Sequence, residues 1–183
     1  MGYLFVALVL ALLVWAVWVF NRLVRLRNQV RAAWSDIDVQ LTRRHDLVPR
    51  LVEAVRAYAG HEKALLENVT TLRSRALAVD SPARLAEVEG ALERALGRLF
   101  ALREAYPDLK ANENFLQLQR DLVEVEDHLQ FARRFYNGAV RALNDAIQRF
   151  PDLLLARPLG FVEAEFYEAA DDERGAPGVE GLR

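Results

Sequence analysis

The first twenty residues constrain this chain most, because Gly2 to Phe20 is an unbroken run of nineteen uncharged residues. At 1.5 Å rise per residue, a helix of this length is about 28 Å long, close to the roughly 30 Å hydrocarbon core of a bilayer. Twelve of the nineteen are Leu, Val or Phe, and at roughly −0.4 kcal/mol each their insertion gains on the order of 5 kcal/mol. The run predicts a transmembrane helix over residues 1–20.

Aromatic residues and arginines mark the ends of this run. Trp15, Trp18 and Phe20 cluster at one end and Tyr3 lies at the other, where interfacial aromatic residues are typical. Four arginines follow the run: Arg22, Arg25, Arg27 and Arg31. The positive-inside rule then predicts the N-terminus outside and the remaining chain in the cytoplasm, where these arginines could also contact anionic headgroups.

Two other interpretations of the run are weaker. A cleaved signal peptide needs a basic start, a shorter apolar stretch and a small-residue cleavage site, whereas only the α-amino group precedes this run and Trp18 to Arg22 ends it. A buried core helix is the second alternative, but a small soluble domain rarely hides nineteen uncharged residues.

The remaining sequence predicts an all-α fold. Apolar residues recur at steps of three and four with almost no strand-like alternation, so residues 21–157 are expected to form an antiparallel four-helix bundle with long helices. The predicted helices cover about residues 21–60, 61–79, 82–106 and 110–150. Residues 158–183 form an acidic tail, with seven acids against two arginines from residue 161 onward, which we expect to be only partly ordered.

The strongest periodicity lies in the last long helix. Its apolar seam consists of Phe115, Leu118, Leu122, Val125, Leu129, Ala132, Tyr136, Ala139, Leu143, Ala146 and Phe150. Around Phe131, Phe135, Val140 and Ile147 the apolar face widens, which indicates more than one neighbouring helix there and favours a bundle over a two-stranded coiled coil.

Composition offers little to build an enzyme from. The chain has no Cys, only three His and a net charge of −2, and it contains neither a Gly-rich phosphate loop nor a metal-binding motif. We therefore predict no catalytic residues, no cofactor, no metal and no nucleic-acid partner. The predicted partners are membrane lipid and an unidentified protein or a second copy of the chain.

One polar pair stands out on the first helix after the run. His45 falls on the apolar stripe, in the same turn as Pro49, whose missing N–H leaves the His45 carbonyl without a helical donor. His45 and its neighbour Asp46 are therefore the candidate polar-core or switch residues. A packed, hydrogen-bonded histidine is one interpretation, and a proton-linked switch is the alternative.

Several motifs resemble the LemA family across nearly the whole chain. They are Leu26-Arg-Asn-Gln-Val30, Ala33-Trp-Ser-Asp-Ile-Asp-Val-Gln-Leu41, Arg43-Arg-His-Asp-Leu47, Pro49, Leu51-Val52, Tyr58-Ala, His61-Glu62, Glu104-Ala-Tyr-Pro-Asp-Leu-Lys-Ala-Asn112, Asn114-Phe115-Leu116, Leu118-Gln119, Ala132-Arg-Arg-Phe-Tyr-Asn137 and Phe150-Pro151. The resemblance implies a bacterial inner-membrane protein with an N-terminal anchor and a cytoplasmic antiparallel four-helix bundle, and it carries over no reaction. Gly138 and Leu143 depart from the family pattern, as does the tail after Gly175.

Together these observations predict a non-enzymatic, single-pass membrane protein. Its helical bundle is expected to bind a protein partner, or to assemble with itself, at the cytoplasmic membrane face. The alternative is an envelope-stress or membrane-quality component that acts with lipid or with a membrane protease.

Overall fold

A computed structural model describes residues 1–168, and those residues are helical with no β-strand. The long helices are α1 (Gly2–Arg56), α2 (Lys63–Ala76), α3 (Pro82–Ala101) and α5 (Glu113–Gln148); a 3₁₀ turn (Leu102–Glu104) and the short helices α4 (Pro107–Lys110) and α6 (Leu153–Ala156) complete the chain. The all-α prediction is confirmed. Residues 169–183, the larger part of the acidic tail that we expect to be only partly ordered, lie outside the described residues.

Helix α1 runs from the apolar segment into the polar part of the chain without a break, and so joins the two helices predicted over residues 1–20 and 21–60. Among residues 1–168 it is the one helix whose length and apolar composition would allow it to cross a membrane. Its residues from Gly2 to Val14 are exposed, so the folded chain does not use them as a core. This observation disfavours the core-helix interpretation of the run.

The helix ends follow local rules. Ser81 occupies the N-cap position of α3 and Pro82 is its first residue, as proline's fixed φ favours. Asn112 accepts a hydrogen bond from the Phe115 amide at 2.8 Å, which satisfies one of the free donors at the start of α5. Helix α3 ends at Ala101 and a 3₁₀ turn follows over Leu102–Glu104. Tyr106 is extended, as proline favours in the residue before it, so the helical stretch stops short of Pro107.

Burial confirms most of the predicted seam of α5. Ten of its eleven positions are buried, and Phe150, which lies beyond the end of the helix, is exposed. Val140 and Ile147 are also buried, but Phe131 and Phe135 are exposed, so the expectation that neighbouring helices cover these two rings was wrong.

The helices form two compact units, and both α1 and α5 contribute to each. The first unit comprises residues 1–38 and 131–166. In it the Trp34 and Tyr136 rings lie 5.3 Å apart, and the Asn144 side chain makes two hydrogen bonds with the Ala164 backbone, at 2.9 and 3.0 Å. These bonds hold the stretch after α6 against α5.

The second unit comprises residues 39–130 and, among those described, 167–168. Here the α3 ring of Phe100 meets Phe115 of α5, with their centroids 6.2 Å apart. Asn112 also donates to the Tyr58 hydroxyl at 2.9 Å. The second unit contains the polar cluster described next.

Candidate functional site

A group of charged side chains is buried inside the second unit. Arg44 of α1 and Glu89 of α3 are 2% and 0% exposed, and His45 is 6% exposed. Arg44 Nη1 donates to Glu89 Oε2 at 3.0 Å and His45 Nε2 contacts Glu89 Oε1 at 2.6 Å. Arg44 also pairs with Glu126 of α5. We call Arg44, His45, Glu89 and Glu126 the buried ionic cluster.

The partners of Glu89 keep it ionised despite its burial. Burial alone would raise the pKa of Glu89, but the hydrogen bond from His45 and the positive charge of Arg44 outweigh it, and the pKa lies below its ordinary value of 4.5. An ionised carboxylate only accepts hydrogen bonds. His45 Nε2 must therefore carry the hydrogen and donate it to Glu89.

Next to the cluster, a second polar contact supplies a hydrogen-bond donor to a backbone carbonyl of α1. Proline at position 49 removes the amide that would normally donate to the His45 carbonyl. Arg73 Nε of α2 donates to that carbonyl instead, at 2.7 Å. Pro49 and Arg73 also line a half-open cleft of about 380 Å³, together with Val48, Val52, Glu53, Arg56 and Thr70. The hydrogen bond from Arg73 thus holds α2 against α1 at the point where Pro49 interrupts the helical hydrogen bonding of α1.

The predicted polar residues separate in the structure. His45 is buried in the cluster, whereas Asp46 is exposed on α1, so Asp46 is not part of the polar core as predicted. Successive helical residues point about 100° apart, so Arg44 and His45 both reach Glu89, whereas Asp46, a further step round the helix, is exposed. The proton-linked switch at His45 stays a prediction.

The predicted membrane residues occupy the first unit. Tyr3, Trp18 and Phe20 are exposed and Trp15 is half-buried. Of the four arginines, Arg25 and Arg31 are exposed. The other two have intramolecular partners: the Arg22 guanidinium lies over the Trp18 ring and pairs with Asp152, and that of Arg27 lies over the Phe161 ring.

Sequence reasoning missed Arg44, Glu89, Glu126 and the role of Arg73. A signal for Glu89 was present, because Leu85, Glu89 and Leu92 follow the spacing of four and three that marks one helix face. An acid on an apolar face indicates a buried partner for its charge. The signal for Arg44 was similar, since it lies one turn from both Leu41 and Val48. Neither pattern identifies which charge meets which.

The geometry of the buried ionic cluster indicates a structural role. Glu89 has both carboxylate oxygens engaged and no exposed surface, so a bound substrate could not contact it in this conformation. Removing Arg44 would leave the buried carboxylate of Glu89 without its ion-pair partner, which is strongly unfavourable. The cluster therefore fixes how α1, α3 and α5 meet within the second unit.

Comparison with known proteins gives consistent matches over most of the chain. The model of the LemA family matches residues 33–180. Protein LemA of Metamycoplasma hominis is 28% identical over 158 residues, which cover 84% of this chain and 71% of the relative. Magnetosome protein MamQ 2 of Paramagnetospirillum magneticum is 24% identical over 175 residues, covering 81% of this chain and 64% of the relative. Magnetosome protein MamQ of Magnetospirillum gryphiswaldense is 23% identical over 174 residues, with the same coverage. The chain thus spans about two thirds of the length of these relatives.

Replacing Glu89 by Gln should destabilise the full chain by about 1.5–3 kcal/mol at pH 7, because the charge-assisted hydrogen bonds of Glu89 are lost while Arg44 keeps Glu126 as its remaining counter-charge. The pKa of Glu89 is lowered by folding, so its ionised form stabilises the fold above pH 4.5, and that stabilisation is lost as the pH falls through the folded-state pKa. The difference between wild type and Glu89→Gln should therefore shrink below pH 4.5. Urea unfolding in mild detergent, followed by circular dichroism from pH 7 to 3, measures it.

Two variants make this test specific. Glu124 forms an exposed ion pair with Arg43 at 3.2 Å, so Glu124→Gln should cost less than about 1 kcal/mol. An equal loss in Glu89→Gln and Glu124→Gln would contradict the structural role of the cluster. His45→Leu, unfolded in the same way from pH 5 to 8, tests the proton-linked switch, and a pH profile unchanged over that range would reject it.

Because Arg73 donates to the carbonyl that Pro49 leaves free, substitutions at positions 49 and 73 should be coupled in their effects on the free energy of unfolding. Arg73→Gln should destabilise the chain by about 1–3 kcal/mol, because a buried acceptor loses its donor. In a Pro49→Ala background the new amide can donate to the same carbonyl, and Arg73→Gln should then cost clearly less. A double-mutant cycle by urea unfolding measures the difference. Arg75→Gln, at an exposed position of the same helix, is the control. Equal costs of Arg73→Gln in both backgrounds would refute the role of Arg73 as the replacement donor.

Proposed function

Since the chain belongs to the LemA family, as its motifs predicted, we propose that it is a membrane-tethered helical module without enzymatic activity. In this proposal α1 anchors the chain in the inner membrane of a bacterium, with the N-terminus outside. The helical part lies on the cytoplasmic side, where it binds a protein partner or a second copy of the chain. The observation that carries the proposal is the exposed apolar start of α1.

Exposure of the apolar run supports the anchor. Side chains that include Leu4, Phe5 and Leu8 are exposed along the first turns of α1, and water is an unfavourable environment for a contiguous apolar surface of this size. A bilayer removes that surface from water over a length that matches its hydrocarbon core. The aromatic residues at the two ends and the arginines that follow support the interfacial position and the orientation.

Connectivity supports an antiparallel four-helix bundle as the finer architecture. The loops between α1 and α2 and between α2 and α3 are short, and short connections favour antiparallel neighbours. We keep this arrangement of α1, α2, α3 and α5 as part of the proposal.

The chemistry of the buried ionic cluster supports a non-enzymatic role. Catalytic acids and bases need access to a substrate, whereas Arg44, His45 and Glu89 are buried and bound to one another. The titratable side chains of this cluster are thus engaged in holding helices together. The cluster is better suited to a rigid scaffold than to turnover.

Two exposed phenylalanines support an interaction surface. Phe131 and Phe135 lie one turn apart on α5 and are 67% and 52% exposed, and the Arg134 guanidinium lies 4.7 Å from the centre of the Phe131 ring. Paired aromatic residues beside an arginine are typical of interaction hot spots. We propose that this α5 aromatic pair contacts the partner chain.

The test places photoreactive benzoylphenylalanine at position 131 or 135 of the full chain and irradiates native membranes without detergent. We expect one discrete adduct from both positions, either a dimer of the chain or the chain with a single partner. Leu77 is also exposed but isolated at the end of α2, so the same probe at position 77 should give no adduct. Phe131→Ser should weaken the adduct formed from position 135.

A monomer alone from positions 131 and 135, under conditions in which a known membrane complex crosslinks, would contradict the proposed interaction. An equally strong adduct from position 77 would also contradict it, because the contact would then not depend on the α5 aromatic pair.

A further inference from the structure

The stretch that follows α5 exposes apolar side chains on a short, well-defined segment. Residues 149–162, here called the post-α5 segment, contain α6 and a turn at Gly160. Phe150, Leu154 and Leu159 are 74%, 58% and 49% exposed. Packing within the fold does not cover these three apolar side chains, so their exposure needs a separate explanation.

Contacts within the first unit place this segment beside the end of the apolar run. Arg22 Nη1 donates to Asp152 Oδ2 at 2.6 Å. The rings of Phe20 and Phe161 lie 6.0 Å apart, edge to face, and the Arg27 guanidinium lies 5.1 Å from the centre of the Phe161 ring. The residue before α6 and the residue after the Gly160 turn thus both contact α1, between Phe20 and Arg27.

The turn at Gly160 is what returns the chain to α1. Gly160 has φ +73°, a conformation that side chains disfavour. The Phe161 amide donates to the Ala156 carbonyl at 3.0 Å, which closes the end of α6 in the manner of a helix C-cap. This geometry directs Phe161 into the core and leaves Leu159 exposed.

Burial along α1 shows that the folded unit overlaps the apolar run itself. Val19 is fully buried and Trp15 and Ala16 are half-buried, whereas the run is exposed up to Val14. Protein therefore covers one side of α1 over the last turns of the run. The post-α5 segment lies at this level, because its contacts reach Phe20 and Arg22.

From these observations we propose that the post-α5 segment is a second membrane contact of the protein. It would insert Phe150, Leu154 and Leu159 at the boundary between headgroups and acyl chains. This inference rests on the proposed anchoring of α1: if the run ends inside the bilayer, a segment packed against its last turns must lie in the interface. An apolar side chain placed there leaves water, as in interfacial amphipathic segments.

The charges of the segment fit an anionic phospholipid surface. Arg149 and Arg157 are exposed, next in sequence to Phe150 and one turn from Leu154. The one acid in the segment, Asp152, is buried and paired with Arg22. Exposed basic residues beside exposed apolar ones favour lipid with negatively charged headgroups.

The test uses the absence of cysteine from the sequence, which allows single nitroxide labels on the full chain. Cysteine replaces Phe150 or Leu154, and the chain is reconstituted in vesicles of phosphatidylcholine and phosphatidylglycerol. Val123→Cys is the matched control, because Val123 is similarly exposed, lies outside the α5 aromatic pair and is about seven turns from the end of α5. Val9→Cys reports on the anchor. Collision rates with oxygen and with a water-soluble nickel chelate are measured by electron paramagnetic resonance.

We expect the oxygen-to-nickel ratio at positions 150 and 154 to be several-fold higher than at position 123, and lower than at position 9. Ratios at 150 and 154 equal to that at 123, with a lipid-like ratio at 9, would overturn the second contact and leave the anchor intact. Labels at 150 and 154 that reach neither reagent would also overturn it, because protein would then cover the segment. A water-like ratio at position 9 would refute the anchor, and the second contact with it.

Discussion

The structure depends on what becomes of the apolar surface at the start of α1. Nineteen uncharged residues continue directly into a helix whose later turns are packed by the rest of the chain. Because the first thirteen of them, residues 2–14, have no protein covering them, their removal from water must come from outside the described chain. The hydrophobic effect therefore makes the surroundings of α1 part of the fold. A continuous helix transmits that constraint to Trp34 and Ile37, since no break separates them from the run.

Within the second unit, specificity comes from charge as well as from apolar packing. Apolar seams such as that of α5 tolerate shifts by a turn, because similar residues recur every three or four positions. A buried arginine cannot shift without losing its counter-charges. Arg44 meets Glu89 and Glu126 on two other helices, and Arg73 fixes α2 through the carbonyl that Pro49 leaves free. These contacts select one register among several that the apolar residues alone would allow.

Local sequence patterns predicted the helices well, but they did not predict which side chains pair between helices. The periodicity of α5 located ten buried positions, and the predicted helix start at residue 82 coincides with the first residue of α3. The pairing of Arg44 with Glu89 joins residues 45 positions apart, and nothing in the local pattern of either helix specifies the partner. Asp46 was grouped with His45 because the two are adjacent in sequence, although a helix turns them to different faces. Phe131 and Phe135 looked like core for the same reason that Val140 did, since hydrophobicity shows a preference for leaving water and does not show what provides the cover.

The most direct test of the membrane account follows the intact chain through cell fractionation. Membranes from cells that express the full sequence are washed at alkaline pH, which strips peripheral proteins, and the N-terminal peptide is then identified by mass spectrometry. The account predicts that the chain stays in the washed membranes with residues 1–20 still attached. A chain found in the soluble fraction, or one that has lost this segment, would contradict it.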